Sequence, residues 1–313
     1  MKQISKPTLL LIFGLIICSH LLAQDTTKKA TEDWRSLISL DSLNTDGTTN
    51  ATFKTTRIIN AQSLETVKAH TLDFRVTHRF GSVNTGIHQL YGFDNADDIR
   101  IAFEYGITNR LTVGFSRSRI DENLEGLIKY RLLRQKENGD MPLSVTLFAN
   151  MAYTPKHDVT ATPEYAGDLS NIAHRFSYTY QAIIGRKFSK GFSLQFMPTL
   201  VHRNFITDTL DKNDLISIGV GGRLKLTKRS AIVIDYFYNV RPSSLQSFSY
   251  NANAHYYNPL GIGWEIETGG HVFTIMFSNS AGIIENEFIP NTTESWFNKG
   301  FKFSFDISRS FTL

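Results

Sequence analysis

The feature that most constrains this chain is a set of long segments in which apolar and polar residues alternate. The last segment illustrates it: from Phe301 to Leu313, one parity is apolar except for Arg309, and the other parity is polar throughout. Because successive side chains of a β-strand point to opposite faces, such a segment forms a strand with one apolar and one polar face. The fold must therefore give many strands an apolar environment on one side only.

About twelve such segments follow one another from Leu72 onward, and most extend over about eight to thirteen residues. Strands of soluble domains usually have about five or six residues, whereas a tilted strand that crosses a bilayer needs about nine to eleven. The connections alternate in length. Short ones are 108–110, 187–191, 227–230 and 268–270, longer ones are 81–98, 117–127, 154–173, 203–214, 241–255 and 279–300, and 134–142 is intermediate. Outer-membrane barrels show this alternation of short periplasmic turns and longer extracellular loops.

These patterns predict an all-β fold: a transmembrane antiparallel up-and-down β-barrel of about twelve strands, with its apolar faces toward lipid and its polar faces toward the lumen. An even number of strands puts both termini on the periplasmic side. The alternative is a secreted β-sandwich, whose strands also alternate because one face covers a core. The strand lengths, the loop alternation and the lack of any cysteine after Cys18 argue against the sandwich.

The N-terminus has the layout of a secretory signal peptide, with Lys2 and Lys6, an apolar run that ends at Cys18, and a small residue at Ala23. The run is too short to span a bilayer as a helix. A lipid attachment at Cys18 is disfavoured because large apolar residues precede it. We therefore predict a signal peptide at 1–23.

The signal peptide is followed by a polar periplasmic segment at 24–69 and by the barrel at 70–313. Within the polar segment, FKTTRIIN at 53–60 could add a strand. This organisation places the protein in the outer membrane of a Gram-negative bacterium.

Several function classes find no support. A formal net charge of +4 is too small to indicate a nucleic-acid partner. The nine His residues are scattered without a metal-ligand spacing, and no cofactor-binding motif is present. A hydrolase needs a nucleophile beside an oriented base. Here His78, His174, His202 and His271 share the apolar register with no Ser partner, so we predict that the protein is not an enzyme and, in particular, not an outer-membrane phospholipase.

The polar faces of the strands carry many charged side chains, with basic ones in excess. Such charges support two hypotheses: a small passive channel with a slight preference for anions, or a closed barrel filled by cross-strand salt bridges that acts as a surface-binding or structural protein. The sequence does not name a solute. The candidate lumen-lining residues are Arg75, Arg79, Arg100, Glu104, Lys129, Arg131, Arg223, Asp235 and Glu265.

The loop 81–98 combines an apolar cluster with carboxylates, which a freely solvated loop does not need. Its apolar residues are Ile87, Leu90, Tyr91 and Phe93, and its carboxylates are Asp94, Asp97 and Asp98. An inward fold could pair these carboxylates with Arg79 and Arg100 and constrict the lumen. The alternative is a loop folded on itself above the rim.

Four stretches carry a family resemblance: HRFG (78–81), LYGFD (90–94), EYGITNRLTVGFSRS (104–118) and KYRLLRQ (129–135). Together they resemble an uncharacterised family of Gram-negative outer-membrane β-barrels, over roughly residues 50–313. The resemblance implies a fold and a location, and no activity comes with it. The C-terminal pattern also resembles the signal that the barrel assembly machinery recognises, although Leu313 stands where an aromatic residue is usual. The expected partners are therefore outer-membrane lipid and this machinery.

Overall fold

The computed structural model describes residues 47–49, 51–156, 171–206, 211–242 and 256–313, so the predicted signal peptide lies outside the described residues. Twelve antiparallel strands form a closed barrel in which each strand pairs with its neighbours in the chain and the last pairs with the first. The predicted fold class is confirmed. The strands are β1 Thr71–Ser82, β2 Ala96–Gly106, β3 Leu111–Ser118, β4 Leu124–Leu133, β5 Ser144–Tyr153, β6 Phe176–Lys187, β7 Phe192–Arg203, β8 Asp214–Lys225, β9 Ser230–Val240, β10 Leu260–Thr268, β11 His271–Ser278 and β12 Lys302–Thr312.

The two faces of the wall differ as the alternation predicts. In β9, Val233 and Asp235 are buried inside the barrel, whereas Ile234 and Tyr236 are exposed on the outer face. An outer band of exposed Ile, Leu, Phe and Tyr is what a lipid-facing barrel surface needs.

The connections alternate around the barrel. Turns at 107–110, 134–143, 188–191, 226–229 and 269–270 lie at the end that holds the start of β1 and the end of β12, and longer loops lie at the other end. We refer to these as the periplasmic and extracellular ends. The helical segments of the described residues are short: 3-10 turns at Val83–Gly92, Ile120–Glu122, Ile172–Arg175 and Trp296–Asn298, and an α-helix, α1, at Glu285–Phe288. None of the described helices is long and apolar enough to cross a membrane.

Residues 51–68 form a hairpin inside the barrel, which we call the inner hairpin. The chain pairs with the turn 134–143 through Thr48 and Lys136, then enters the lumen and reverses where the Ile58 N–H donates to the Ala61 carbonyl at 2.8 Å. Residues 51–68 therefore lie inside the barrel, unlike the expected placement of 24–69 outside it, and residues 24–46 lie outside the described part of the chain. The structure also corrects the expected strand at 53–60, since only Arg57 and Gln62 form a bridge there.

A second segment enters from the extracellular end: residues 279–301, which we call the inward loop. Its Ile283, Ile284 and Ile289 are fully buried, and the ring of Phe288 lies 5.1 Å from that of Phe237 on the wall. The apolar core of the molecule therefore lies inside the barrel, between the wall, the inner hairpin and the inward loop. Its buried members include Phe53, Ile58, Leu64, Ile183, Met197, Phe237 and Phe288.

Glycines on the inner wall make room for the hairpin. A Cβ at Gly221 would lie 2.6 Å from Ile58 Cδ1, and a Cβ at Gly106 would lie only 1.9 Å from the carbonyl oxygen of Lys68. The second approach is to backbone, so no side-chain movement relieves it. A glycine at the end of β2 thus allows close approach of the second half of the hairpin, which ends at Lys68.

Candidate functional site

The predicted lumen-lining residues lie on the inner wall, where Arg131 and Arg223 are half-buried and the others are buried. Some of them contact only other wall residues. Arg100 binds Glu125 at 2.7 Å with both side chains fully buried, and Arg223 binds Glu265 at 2.6 Å. Each pair links two strands that flank a third one, β2 to β4 across β3 and β8 to β10 across β9, as the salt-bridge hypothesis requires.

Asp235 instead holds the turn of the inner hairpin. Its Oδ2 accepts hydrogen bonds from three successive backbone N–H groups, those of Ile59 at 3.2 Å, Asn60 at 2.7 Å and Ala61 at 2.8 Å. Successive N–H groups that converge in a turn form a natural anion-binding concavity. Here the carboxylate of the wall fills that concavity and fixes the depth of the hairpin in the lumen.

Two wall cations bind the hairpin through neutral groups. The Lys129 ammonium donates to the carbonyl oxygens of Thr56 at 2.8 Å, Ser63 at 3.3 Å and Glu65 at 3.2 Å. Arg79 donates from Nη2 to the Asn60 side-chain oxygen at 3.0 Å. Neither cation forms an ion pair within 4.0 Å among the described residues. The hairpin therefore supplies hydrogen-bond acceptors to both cations but no opposite charge.

The hairpin and the inward loop meet in the middle of the lumen. Arg57 Nη2 lies 2.9 Å from Glu285 Oε1 and donates to the Ile283 carbonyl at 2.8 Å, with both charged side chains almost fully buried. Arg79 adds a further link because its Nη1 donates to the carbonyls of Ser280 at 3.0 Å and Gly282 at 2.6 Å. Burying an ion pair costs desolvation free energy, and removing one of the two partners strongly destabilises the protein. The two lumen segments therefore hold each other in place.

Sequence reasoning missed Arg57, Asn60 and Glu285. The sequence feature that could have indicated these contacts is the presence of apolar residues, such as Phe53 and Ile58, in a segment predicted to be polar and solvent-exposed. The loop 81–98 also contains apolar residues, but the structure does not place them in the lumen.

The structure places the loop 81–98 differently from the inward fold that would constrict the lumen. The ring of Phe93 packs 5.0 Å from Phe80 and 5.2 Å from Phe303, which both point outward from the wall. Ile87, Leu90, Tyr91 and Phe93 are exposed, as is Asp94. Phe93 thus packs on the outer face of β1 and β12, and the other three apolar residues are exposed rather than buried in the lumen.

The other two carboxylates of this loop form no ion pair within 4.0 Å with Arg79 or Arg100 among the described residues, although Asp98 lies opposite Arg79 in the β1–β2 register. Asp97 lies 3.6 Å from the Lys302 ammonium. Asp98 is buried and accepts hydrogen bonds from the backbone N–H groups of Arg119, Ile120 and Ile283 at 2.9, 3.1 and 3.1 Å. Asp98 thus anchors the inward loop to the neighbouring extracellular turn.

Glu287 of the inward loop lies at the extracellular end. It accepts from the side-chain amides of Asn123 at 2.9 Å and Asn291 at 2.8 Å. Burial and the nearby Asp121 carboxylate raise the pKa of Glu287 to about 7. The protonation state of this loop therefore changes within the physiological range.

The described residues offer little for catalysis or metal binding. They contain no group of three or more His, Cys, Asp or Glu side chains placed to hold a metal ion. His202 Nδ1 lies 2.7 Å from Asp214 Oδ1 on the outer face, and its aromatic neighbour is Tyr178. His78 stacks on Phe305 at 5.5 Å. No Ser hydroxyl bonds to either imidazole in the part of the chain that the structure describes.

Comparisons with known proteins return a family model and several solved structures. A family model described as a membrane-bound beta barrel domain (DUF5777) matches residues 53–311. Among solved structures, the chain is similar to the NanC porin, at 9% identity and a TM-score of 0.45 over 77% of this chain and 100% of that one. It is similar to Omp33 of Acinetobacter baumannii (11% identity, TM-score 0.40, 80% and 100% covered) and to the COG4313 outer membrane channel of Pseudomonas putida F1 (12%, 0.42, 79% and 98%). No curated protein matches the sequence.

Proposed function

The chain belongs to the family of membrane-bound beta barrel domains designated DUF5777, and from that premise we propose that it is an outer-membrane channel for small solutes that the inner hairpin keeps closed. The conclusion depends on one observation: a separate segment of chain, rather than the side chains of the wall alone, fills the lumen. Wall side chains cannot leave a barrel, whereas a hairpin can move as a unit.

The contacts of the hairpin support a segment that can be released. Its turn is held by charged groups of the wall, and water can replace these groups at a net cost of about 1.5–3 kcal/mol for each hydrogen bond to a charged group. Release would break the contacts of Asp235, Lys129 and Arg79 with the hairpin, and also the Arg57–Glu285 ion pair, while leaving the pairs Arg100–Glu125 and Arg223–Glu265 intact. The barrel wall therefore keeps its own bracing in an open state.

The proposed slight preference for anions follows from the same contacts. Lys129 and Arg79 bind neutral groups of the hairpin and the inward loop, so release exposes both positive charges to the passage. Release also exposes the carboxylate of Asp235 and unpairs Glu285 from Arg57, while Arg131 loses its hairpin partner Glu65. Charges in a confined, weakly screened lumen bias ion traffic, so the slight preference for anions depends on Lys129, Arg79 and Arg131 outweighing Asp235 and Glu285.

A reversible lock tests the proposal. The Asn60 and Ser278 side-chain oxygens lie 3.2 Å apart, one on the hairpin and one on the wall. The only native cysteine is Cys18 in the predicted signal peptide, so Asn60→Cys with Ser278→Cys forms an isolated pair. In planar bilayers we expect no conductance steps from the oxidised protein and steps after reduction. Each single variant serves as the control, because reduction should not change its trace.

The second candidate is a permanently closed barrel that acts as a surface-binding or structural protein. The apolar packing of Ile58 and Leu64 against Met197 and Phe237 favours it, because burying such side chains contributes about 1.5–3 kcal/mol each. Silence of the reduced double variant, together with silence of a variant whose hairpin is weakened, would support the closed barrel over the channel. A reversal potential under a salt gradient would measure the anion preference of any open state.

We also propose that the protein is not an enzyme. The His202–Asp214 pair could orient a general base, but the proposal of a hydrolase needs a nucleophile beside it. Among the described residues, the hydrogen bonds of His202 include no hydroxyl group. A screen of phospholipid hydrolysis by the folded protein tests this point directly.

A further inference from the structure

A groove on the outer surface of the barrel lies apart from the lumen. It sits at the extracellular end of β2 and β3 and has a volume of about 710 Å³. Its lining residues are Ile99, Ile101, Arg117, Ser118, Arg119, Ile120, Asp121, Glu122 and Lys156. Nothing in the proposed channel function uses these residues.

One side of the groove belongs to the lipid-facing wall. Ile101 and Arg117 are directly opposite each other on β2 and β3, and both point outward. A cation among lipid-facing residues is costly in the middle of a membrane and inexpensive near its surface. Arg117 therefore lies at the level of the lipid headgroups, with Ile99 and Ile101 toward the acyl chains.

The other side of the groove is basic. Arg119 is oriented by its Nη1, which donates to the backbone carbonyls of Ala96 at 2.6 Å and Asp97 at 3.0 Å, and the described contacts leave its other nitrogens for a ligand. Arg117 lies 3.7 Å from Glu122, and both side chains are about half exposed. An exposed pair at this distance is weak and exchanges readily for a better anion.

A third cation, Lys156, lies 3.0 Å from Asp121 at the edge of the groove. The lining thus carries three cations and two carboxylates, so its net charge is positive. Both carboxylates belong to the turn that follows β3, and both have left-handed backbone angles, with φ of 49° at Asp121 and 54° at Glu122. Such angles persist only where the surroundings fix the backbone.

The surroundings of this turn do fix it. Asp98 accepts from the N–H groups of Arg119 and Ile120, and the Thr154 hydroxyl donates to the Asp121 carbonyl. The turn is therefore a rigid support that sets the positions of its charged side chains. A rigid, basic site beside an apolar wall suits a ligand with an anionic head and apolar chains.

We propose that this groove binds the phosphorylated headgroup of a lipid in the outer leaflet. The phosphate would sit between Arg117 and Arg119, whose guanidinium groups match its geometry, and the acyl chains would lie along Ile99 and Ile101. The site lies outside the lumen, so it does not depend on whether the barrel conducts.

Native mass spectrometry of the full chain, folded in detergent micelles, tests this site with three probes. The probes are a phosphorylated outer-leaflet glycolipid, the same lipid without its phosphates, and inorganic phosphate. We expect the first to be retained, the second to bind at least tenfold more weakly, and inorganic phosphate to compete poorly. Equal retention of the dephosphorylated lipid, or full competition by inorganic phosphate, would overturn the proposal.

Paired variants locate the site. Arg117→Gln with Arg119→Gln should weaken retention of the phosphorylated lipid at least tenfold. The matched control is Arg186→Gln with Arg309→Gln, which removes two outward cations at the periplasmic end and should leave retention within twofold. Heat-modifiable mobility on gels shows that each variant is folded. An equal loss in both pairs would mean that net charge, and not this groove, holds the lipid.

Discussion

Asp235 is a wall carboxylate that accepts hydrogen bonds from three backbone N–H groups of the hairpin turn. In Asp235→Asn the amide keeps one acceptor oxygen and loses the charge, so docking of the hairpin should weaken by about 2 kcal/mol. That change raises the open fraction about thirtyfold if the barrel is a channel. Single-channel recording measures it. Glu265→Gln is the matched control, because Glu265 binds Arg223 on the wall, and an equal increase there would contradict the specific role of Asp235.

Glu287 makes the inward loop sensitive to pH. Because its pKa in the folded protein is raised from 4.5 to about 7, its contribution to holding the loop is fully present below pH 4.5 and is lost as pH rises through about 7. The loop should therefore be more accessible to proteases at about pH 8 than at about pH 5. In Glu287→Gln the cleavage rate should become nearly independent of pH over this range. A variant that keeps the full pH dependence would assign the effect to another group.

At the scale of the elements, the end of β2 is shaped to the hairpin. A Cβ at Gly106 would approach the Lys68 carbonyl oxygen to 1.9 Å, so Gly106→Ala should displace the second half of the hairpin while the wall still closes. The expected result is faster cleavage within residues 51–68 by an added protease, with heat-modifiable mobility retained. Gly126→Ala is the control, because a Cβ there has nothing within 4 Å. Equal cleavage of both variants would mean that Gly106 plays no part in docking.

Two neighbouring residues of β12 test the orientation of the wall. Phe305 points to lipid and Ser304 points into the barrel, where it accepts a hydrogen bond from Arg79 Nε at 3.1 Å. Phe305→Asp should lower the stability of the assembled barrel by about 1 to 3 kcal/mol, because its charge faces hydrocarbon. Ser304→Asp should be mild, since Arg79 can pair with the new carboxylate. The folded fraction on unheated gels compares them, and a reversed order would mean that the two faces are exchanged.

The sequence predicts the wall well and its contents poorly, for a physical reason. Alternation reports which face of a strand is apolar, so strand positions and the inward register of Arg75 or Lys129 follow from it. The hairpin is held by contacts such as Arg57–Glu285, whose partners are 228 positions apart, and by backbone groups that every residue carries. Apolar residues in a loop of a membrane barrel can be buried either in the lumen or against lipid, and the sequence does not distinguish the two. For this reason the inward placement considered for Phe93 does not hold, whereas the burial of Ile58 in the lumen was not predicted.

At the scale of the whole molecule, the closed wall and the core within it act together. The β1–β12 pairing leaves no free strand edge, and the apolar cluster joins hairpin, loop and wall. We expect the protein to fractionate with outer membranes and to migrate faster on gels before heating than after. Deletion of 51–68 should lower the temperature at which this difference disappears, because the inner core is lost. An unchanged temperature would mean that the wall alone sets the stability.

The hairpin precedes every strand in the chain, yet its partners lie on strands all around the barrel, from Lys129 on β4 to Asp235 on β9. Once β12 has paired with β1, the wall leaves no gap through which a folded hairpin could enter sideways. We expect the hairpin to dock while the sheet curls around it, before the final seam between β12 and β1 closes. If the docked residues 51–68 are part of the folding transition state, variants that weaken their docking should lower the folding rate as well as the stability of the closed lumen.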